Sequence, residues 1–273
     1  MEPVHLSDRA VIALEGPEAR AFLQVLVTND LGRLAPGIGL YAALLAPQGK
    51  ILFDFLVVEG DGALLLDCQA ASAEALMKKL KLYRLRAKIE IAPRLQLAVY
   101  AGLTGRPAER AITYPDPRLA ALGPRSIGAA AEMPADLPGP ALYHAARLRL
   151  GVPEGSDFGS DKIFALDAGL DELHAIDFGK GCYIGQELTA RMKHRGTARK
   201  RLLTVSANNA LPAGGEVMSE SGPIGELVAA YGATAFALVR LDRLEAARGK
   251  ITVENIPVAL TRPAWLDQSS QVT

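Results

Sequence analysis

The sequence predicts an α+β protein that ends in a small β-barrel. Three observations predict it. The first hundred residues read as strands, a helix and further strands, the order of a layered α+β unit rather than a doubly wound sheet. Gly123 to Pro140 is a loose stretch with four prolines, which reads as a surface connection. After Arg201 the texture changes to short apolar runs separated by Gly214-Gly215, Gly222-Pro223 and Gly249-Lys250, as in a small barrel.

The elements follow in order. Val4 to Leu14 predicts a strand. Gly16-Pro17-Glu18 opens a helix whose buried face is Phe22, Leu23, Leu26 and Val27. Leu40 to Leu45, Ile51 to Val58 and Ala63 to Asp67 predict strands joined by Pro47-Gln48-Gly49-Lys50 and Gly60-Asp61-Gly62. Ser72 is placed as the cap of a helix over 73–83, with Leu76, Leu80 and Tyr83 on one face. Short strands at 88–91 and 96–100 and a helix from Tyr143 to Leu150 follow. In the last part, strands are expected at 202–205, 224–230, 236–241, 251–253 and 258–261.

Composition excludes several function classes. The 273 residues are 49% apolar, which rules out general disorder and suggests two or three domains. The net charge is zero, so no global field attracts nucleic acid or an anionic membrane. No run reaches the roughly 20 apolar residues of a membrane span. The N-terminus lacks the basic and apolar regions of a secretory leader, so a bacterial cytosol is expected ahead of a mitochondrial matrix. The two cysteines, Cys68 and Cys182, exclude a disulfide framework and are expected to be reduced. An iron–sulfur cluster usually needs about four thiolates, so the chain cannot hold one unaided. The four scattered histidines lack the spacing of a zinc site.

The densest chemistry lies in Lys180-Gly181-Cys182-Tyr183-Ile184-Gly185-Gln186-Glu187. Ile184, Leu188 and Met192 recur at helical spacing, which predicts a helix to about Lys193 with a Glu187–Arg191 pair and Cys182 near its N-terminus. Helix N–H groups and the Lys180 cation would favour a thiolate there. Gly181 and Gly185 would let a ligand approach. The alternative is that Cys182 is a small buried residue, as free cysteines often are.

This octapeptide resembles the signature of the YgfZ-type folate-binding proteins, a family tied to assembly or repair of iron–sulfur enzymes and related to the aminomethyltransferase (T-protein) of glycine cleavage. The resemblance extends over Ala21 to Asp30, Tyr41 to Ile51, Tyr83-Arg84-Leu85-Arg86, Arg147 to Pro153 and Arg191 to Gly196. It implies a T-protein-like ring of three domains around a folate channel. These are a discontinuous folate-binding domain (1–46 plus 131–199), a second ferredoxin-like domain (47–130) and the barrel (200–273).

The resemblance also implies a site. Cys182 is the functional thiol, with Lys180, Gln186 and Glu187 beside it. Tetrahydrofolate or a derivative is the expected cofactor, with Asp54, Asp67, Tyr83, Gly181, Tyr183, Gly185 and Arg195 as its contacts. A pterin edge needs an acid acceptor, its rings an apolar wall and its glutamate tail a cation. Asp54 interrupts an apolar strand and is costly there unless paired or facing a cavity; a half-exposed strand acid is the plainer reading. Tyr83 reads as core ahead of a stacking wall. In the T-protein relatives the Asp54 strand carries an acidic pair, and here Phe53 takes one of the two places.

The implied partners are folate and iron–sulfur client or assembly proteins, with no membrane. The basic run Arg191, Lys193, His194, Arg195, Arg199, Lys200, Arg201 could bind a polyglutamate tail or RNA, but a solvated face is favoured and nucleic acid is not an expected partner. An accessory factor for iron–sulfur enzymes is the first functional expectation. A folate-dependent aminomethyl- or formyltransferase is the second, and a non-catalytic scaffold the third.

Overall fold

The computed structural model describes residues 2–60, 62–105, 107–196 and 199–268; Asp61, assigned to a turn from the sequence, lies outside them. Its elements in chain order are β1 (Val4–His5), β2 (Arg9–Glu15), α1 (Ala19–Gln24), β3 (Leu40–Leu45), β4 (Ile51–Gly60), β5 (Ala63–Gln69), α2 (Ala70–Arg84), β6 (Glu90–Pro93), β7 (Leu97–Ala101), β8 (Ile112–Pro115), β9 (Pro124–Ala129), α3 (Ala141–Arg149), α4 (Gln186–Arg195), β10 (Lys200–Ala207), β11 (Gly215–Ser219), β12 (Gly222–Tyr231), β13 (Thr234–Arg240), α5 (Leu241–Ala246), β14 (Thr252–Val253), β15 (Ile256–Thr261) and α6 (Trp265–Gln268). The chain divides into two compact units. The first contains Met1–Leu45, Phe53–Ala146 and Leu173–Ile184, the second Ala46–Leu52, Arg147–Glu172 and Gly185–Thr273.

The first unit contains a five-stranded sheet, β3-β4-β5-β2-β6, and a four-stranded sheet, β1-β7-β9-β8. In the larger sheet Phe55 lies opposite Cys68 and Leu56 opposite Asp67. Side chains alternate between faces along a strand. Phe55, Val57, Leu66 and Cys68 therefore share one face, where they pack with Leu23 of α1 and with Leu76 and Leu80 of α2. Arg9, Tyr41, Asp54 and Asp67 fall on the other face.

That second face carries a buried ionic chain. Arg9 Nε donates to Asp67 Oδ1 at 2.6 Å, and Arg125 of β9 donates to Asp67 Oδ2 at 2.7 Å. Arg125 Nε reaches Asp116 Oδ2 at 3.1 Å, and Arg118 donates twice more to Asp116. Both guanidinium groups also donate to Tyr143 Oη, at 2.5 and 2.6 Å. Burial works against the charge on Asp116, yet Arg118 and Arg125 hold its carboxyl below the usual range. These bonds tie the two sheets together through Arg125, which has no exposed surface.

The second unit is built on a closed barrel, β10-β13-β12-β11-β14-β15, in which Val205, Val217, Ala237, Val239 and Val253 lie buried on one common face of the strands. Arg147 is clamped inside this unit by Asp157 at 2.6 Å. Gly169 must be glycine: its φ is +76°, and a Cβ would sit 2.7 Å from the Trp265 ring.

Several expectations change. The boundary at 46/47 cuts through one hydrogen-bonded sheet, because the 47–50 turn only connects adjacent strands β3 and β4. The loose stretch from Gly123 contains β9, an interior strand of the smaller sheet. Pro124 opens it, and the polar Arg125 and Ser126 conceal a strand that is in fact buried. The first strand is broken into β1 and β2. Ser72 is not a cap; helix α2 starts at Ala70, and Ser72 Oγ donates back to Gln69 O at 3.1 Å. Strands β8 and β11 were not expected.

Replacing Arg125 by Met should leave Asp67 and Asp116 short of a buried counter-charge. The expected loss is about 3–5 kcal/mol in urea unfolding; a loss below about 1 kcal/mol would contradict the role given to this chain of ion pairs.

Candidate functional site

The octapeptide turns one end inward and leaves its thiol outside. Lys180 is 7% exposed. Its Nζ donates to Gln24 O at 2.6 Å, Val27 O at 2.5 Å and Asn29 O at 2.9 Å. These carbonyls lie at the C-terminus of α1 and in the turn beyond it, where helix carbonyls lack partners of their own. Burial pushes the Lys180 ammonium down to about 8, against the pull of Asp30 and Asp177. The Tyr183 ring lies against it, with Nζ 5.4 Å from the centroid.

The preceding segment is stitched to the same turn. Asp177 N donates to Thr28 O at 3.0 Å, and Thr28 Oγ1 donates to Ala175 O at 2.6 Å. Asn29 Nδ2 bridges Tyr41 O and His174 O. Asp177 Oδ1 accepts from the backbone of Gly179 and Lys180. The loop that leads to the thiol is therefore rigid on its upstream side.

Cys182 itself is exposed, whereas Cys68 is buried and its thiol is pushed up to about 12 by burial. A Cβ built on Gly181 meets nothing within 4 Å, so the backbone beside the thiol is open. The buried alternative for Cys182 is thus excluded. Two parts of the sequence argument are corrected. Helix α4 begins at Gln186 behind an N-cap at Gly185, whose φ of 82° lies in the left-handed region. Cys182 comes three positions before that cap, outside the first turn where a helix dipole acts. Lys180 spends its three N–H bonds on carbonyls, so it serves as an anchor and not as a cation for the thiol.

The other expected residues are not brought together as one ligand set. Asp54 is 5% exposed, and Tyr41 Oη donates to its Oδ2 at 3.0 Å. Asp67 is fully buried between Arg9 and Arg125 and is not available to a pterin edge. Tyr83 packs on the core side of the larger sheet with Lys79 over its ring, on the face opposite Asp54. It cannot form a wall for a ligand held at Asp54. Phe53 packs against that same core. Gln186 is half-buried, and Glu187 and Arg195 are exposed on α4. Within the basic run, Lys193 and Arg201 are ion-paired to Asp171 and Glu172. Sequence reasoning missed Tyr41 and the carbonyl cradle of Lys180. The only local signal was the position of Asn29-Asp30 just after an amphipathic helix.

Comparison with known proteins agrees with this architecture. A family model described as the CAF17 C-terminal beta-barrel domain matches residues 199–268. The mitochondrial iron–sulfur cluster assembly factor IBA57 of Mus musculus is 33% identical over 302 aligned residues, covering 95% of this chain and 84% of that protein. The Homo sapiens protein of the same name is 34% identical, with the same coverage. Among solved structures, the glycine cleavage system aminomethyltransferase T from Bartonella henselae matches with a TM-score of 0.76 at 18% identity, over 98% of this chain and 86% of that one. The chain thus has the T-protein-like α+β fold with a C-terminal barrel. The IBA57 proteins are named as mitochondrial, so they lend no support to the expected bacterial cytosol.

Replacing Lys180 by Met should strip the donor from three carbonyls and destabilise the protein by about 2–4 kcal/mol. Hydrogen exchange should quicken over 174–183. Arginine, with a planar fork, should not restore it. Unchanged unfolding and exchange would contradict the anchor.

Proposed function

The chain belongs to the YgfZ-type family that includes the iron–sulfur cluster assembly factor IBA57, and from that premise we propose that it acts in the assembly of iron–sulfur proteins, with Cys182 as its working thiol and a reduced folate as its ligand. The observation that carries this reading is the exposed Cys182 on an anchored loop, beside open backbone at Gly181. A thiolate is a soft ligand for iron and a nucleophile toward sulfur. Among the described residues no group of three or more His, Cys, Asp or Glu side chains is placed to hold a metal. One thiolate is short of the four that a cluster usually takes. The remaining ligands would come from a client or assembly protein, which makes such proteins the expected partners. No helix among the described residues is long and apolar enough to cross a membrane.

Folate binding rests on a smaller set of residues than expected. Asp54 is the acid suited to a pterin edge, and its hydrogen bond from Tyr41 orients the carboxylate. Asp67 and Tyr83 have no part in this reading. A reduced folate would supply the acceptor for a one-carbon unit when bound; this chain's residues would bind and orient it. The fold shared with an aminomethyltransferase favours a transferase as the second reading. Against that reading, the place beside Asp54 is filled by Phe53, a core-packing side chain.

Cys182→Ala should remove the activity of a dependent iron–sulfur enzyme in cells while the unfolding free energy stays within about 0.5 kcal/mol, as for an exposed position. Full client activity would sink the thiol role. Tetrahydrofolate titrated by calorimetry should bind, and Asp54→Asn should weaken it at least tenfold. Absence of heat at millimolar ligand would remove the folate from the account, and turnover of an aminomethyl donor would promote the transferase.

A further inference from the structure

Asp171 and Glu172 are consecutive acids of the second unit, and both side chains are withdrawn from water, at 6% and 5% exposure. Each spends one oxygen on a cation. Lys193 Nζ, from α4, donates to Asp171 Oδ2 at 2.8 Å. Arg201, from β10, donates to Glu172 Oε1 at 3.1 Å. The other two oxygens, Asp171 Oδ1 and Glu172 Oε2, are buried and receive no hydrogen bond from an N–H or O–H of the described residues. The two carboxyl groups, on consecutive residues, lie close enough to share a hydrogen bond. Two ionised carboxylates have nothing to donate, so such a contact needs a proton.

We propose that Asp171 and Glu172 hold one proton between them, and that this proton fastens α4 to β10 through the sequence of contacts Lys193, Asp171, Glu172, Arg201. Its loss puts two like charges side by side in a buried place and loosens both stretches of chain that flank the thiol loop. The segment Leu173–Ile184, which carries Cys182, starts directly after Glu172, and α4 starts two residues after that segment ends. The pair thus sits at one root of the loop and grips the helix at the other.

The electrostatics assign the proton to Glu172. Burial pushes its carboxyl up to about 8, with the hydrogen bond and charge of Asp171 acting the same way and Arg201 opposing them. Burial also works against the charge of Asp171, but the bonds from Glu172 and Lys193 hold that carboxyl below its usual range. The remaining charged neighbours belong to the same unit. Asp167 is raised to about 6 by burial, against Arg201 and Lys200, and its carbonyl accepts from Leu202 N of β10 at 3.0 Å. Arg201 also donates to Leu166 O.

The sign of the pH effect follows. Between the ordinary value of 4.5 and about 8 the folded protein keeps a proton that the unfolded chain has released. The contribution of Glu172 is full below that window, falls as pH rises through it, and is gone above about 8. The opening equilibrium should change by at most about tenfold per pH unit.

The test is native-state hydrogen exchange over 165–196, corrected for the intrinsic effect of pH, in the wild type and in Glu172→Gln. The amide keeps a donor for Asp171 Oδ1 and an acceptor for Arg201 but does not titrate. Wild-type opening should rise between pH 6 and 8 and level off beyond. The variant should be flat and open at least tenfold less at pH 8.5. A flat wild-type profile, or a variant that rises as the wild type does, overturns the proposal. If the variant does not fold, carbon-13 titration of the Glu172 carboxyl in the wild type decides: a midpoint near 8 supports the shared proton, and one near 4.5 overturns it. None of these readouts depends on folate, on a cluster or on Cys182, so the proposal can fail while the functional reading stands.

Discussion

A lysine ammonium taken out of water has to find three acceptors, and Lys180 finds them in the carbonyls of Gln24, Val27 and Asn29. Those carbonyls are what remains unpaired where α1 ends and the chain turns toward β3. The same turn takes hydrogen bonds from Asp177 and gives them to Ala175 and His174. The end of one helix and the approach to the thiol loop therefore satisfy each other. A change on either side would leave buried polar groups on both.

That exchange divides the work within eight residues. Lys180 and Tyr183 face inward and fix the loop; Gly181 and Cys182 are left outside. The octapeptide also crosses from the first unit to the second between Ile184 and Gly185. The left-handed Gly185 ends the loop and starts α4, whose Lys193 meets Asp171 just upstream of the same loop. A thiol left outside in this way is open to reagents and other molecules that the buried Cys68 does not meet.

What could be read from the sequence follows from how local each signal is. The strands at Leu40–Leu45 and, β11 apart, in the barrel are apolar runs that glycine-containing turns separate. The octapeptide was legible because a thiol, a cation, two glycines and two polar residues rarely share so short a run by accident. Strand β9 was not legible, because its buried residues include Arg125, which only makes sense once Asp67, 58 positions away, is brought against it, and Ser126, whose hydroxyl pairs with that of Thr113. The same distance hid the true role of Asp67, which read as a ligand-facing strand end. Lys180 was misread for a related reason: its partners lie more than 150 positions upstream, and only its neighbour in sequence, Cys182, was visible. The helix start was placed too early because the left-handed cap at Gly185 cannot be distinguished from a glycine inside the first turn.

The central claim is that the fold leaves Cys182 exposed while keeping Cys68 sealed. The most direct measurement is alkylation of the native protein by a small thiol reagent, followed by mass mapping of both cysteines over time. Cys182 should be modified fully while Cys68 stays intact until the protein is unfolded. Protection of Cys182 to the same degree as Cys68, or modification of both at similar rates in the native protein, would contradict the account.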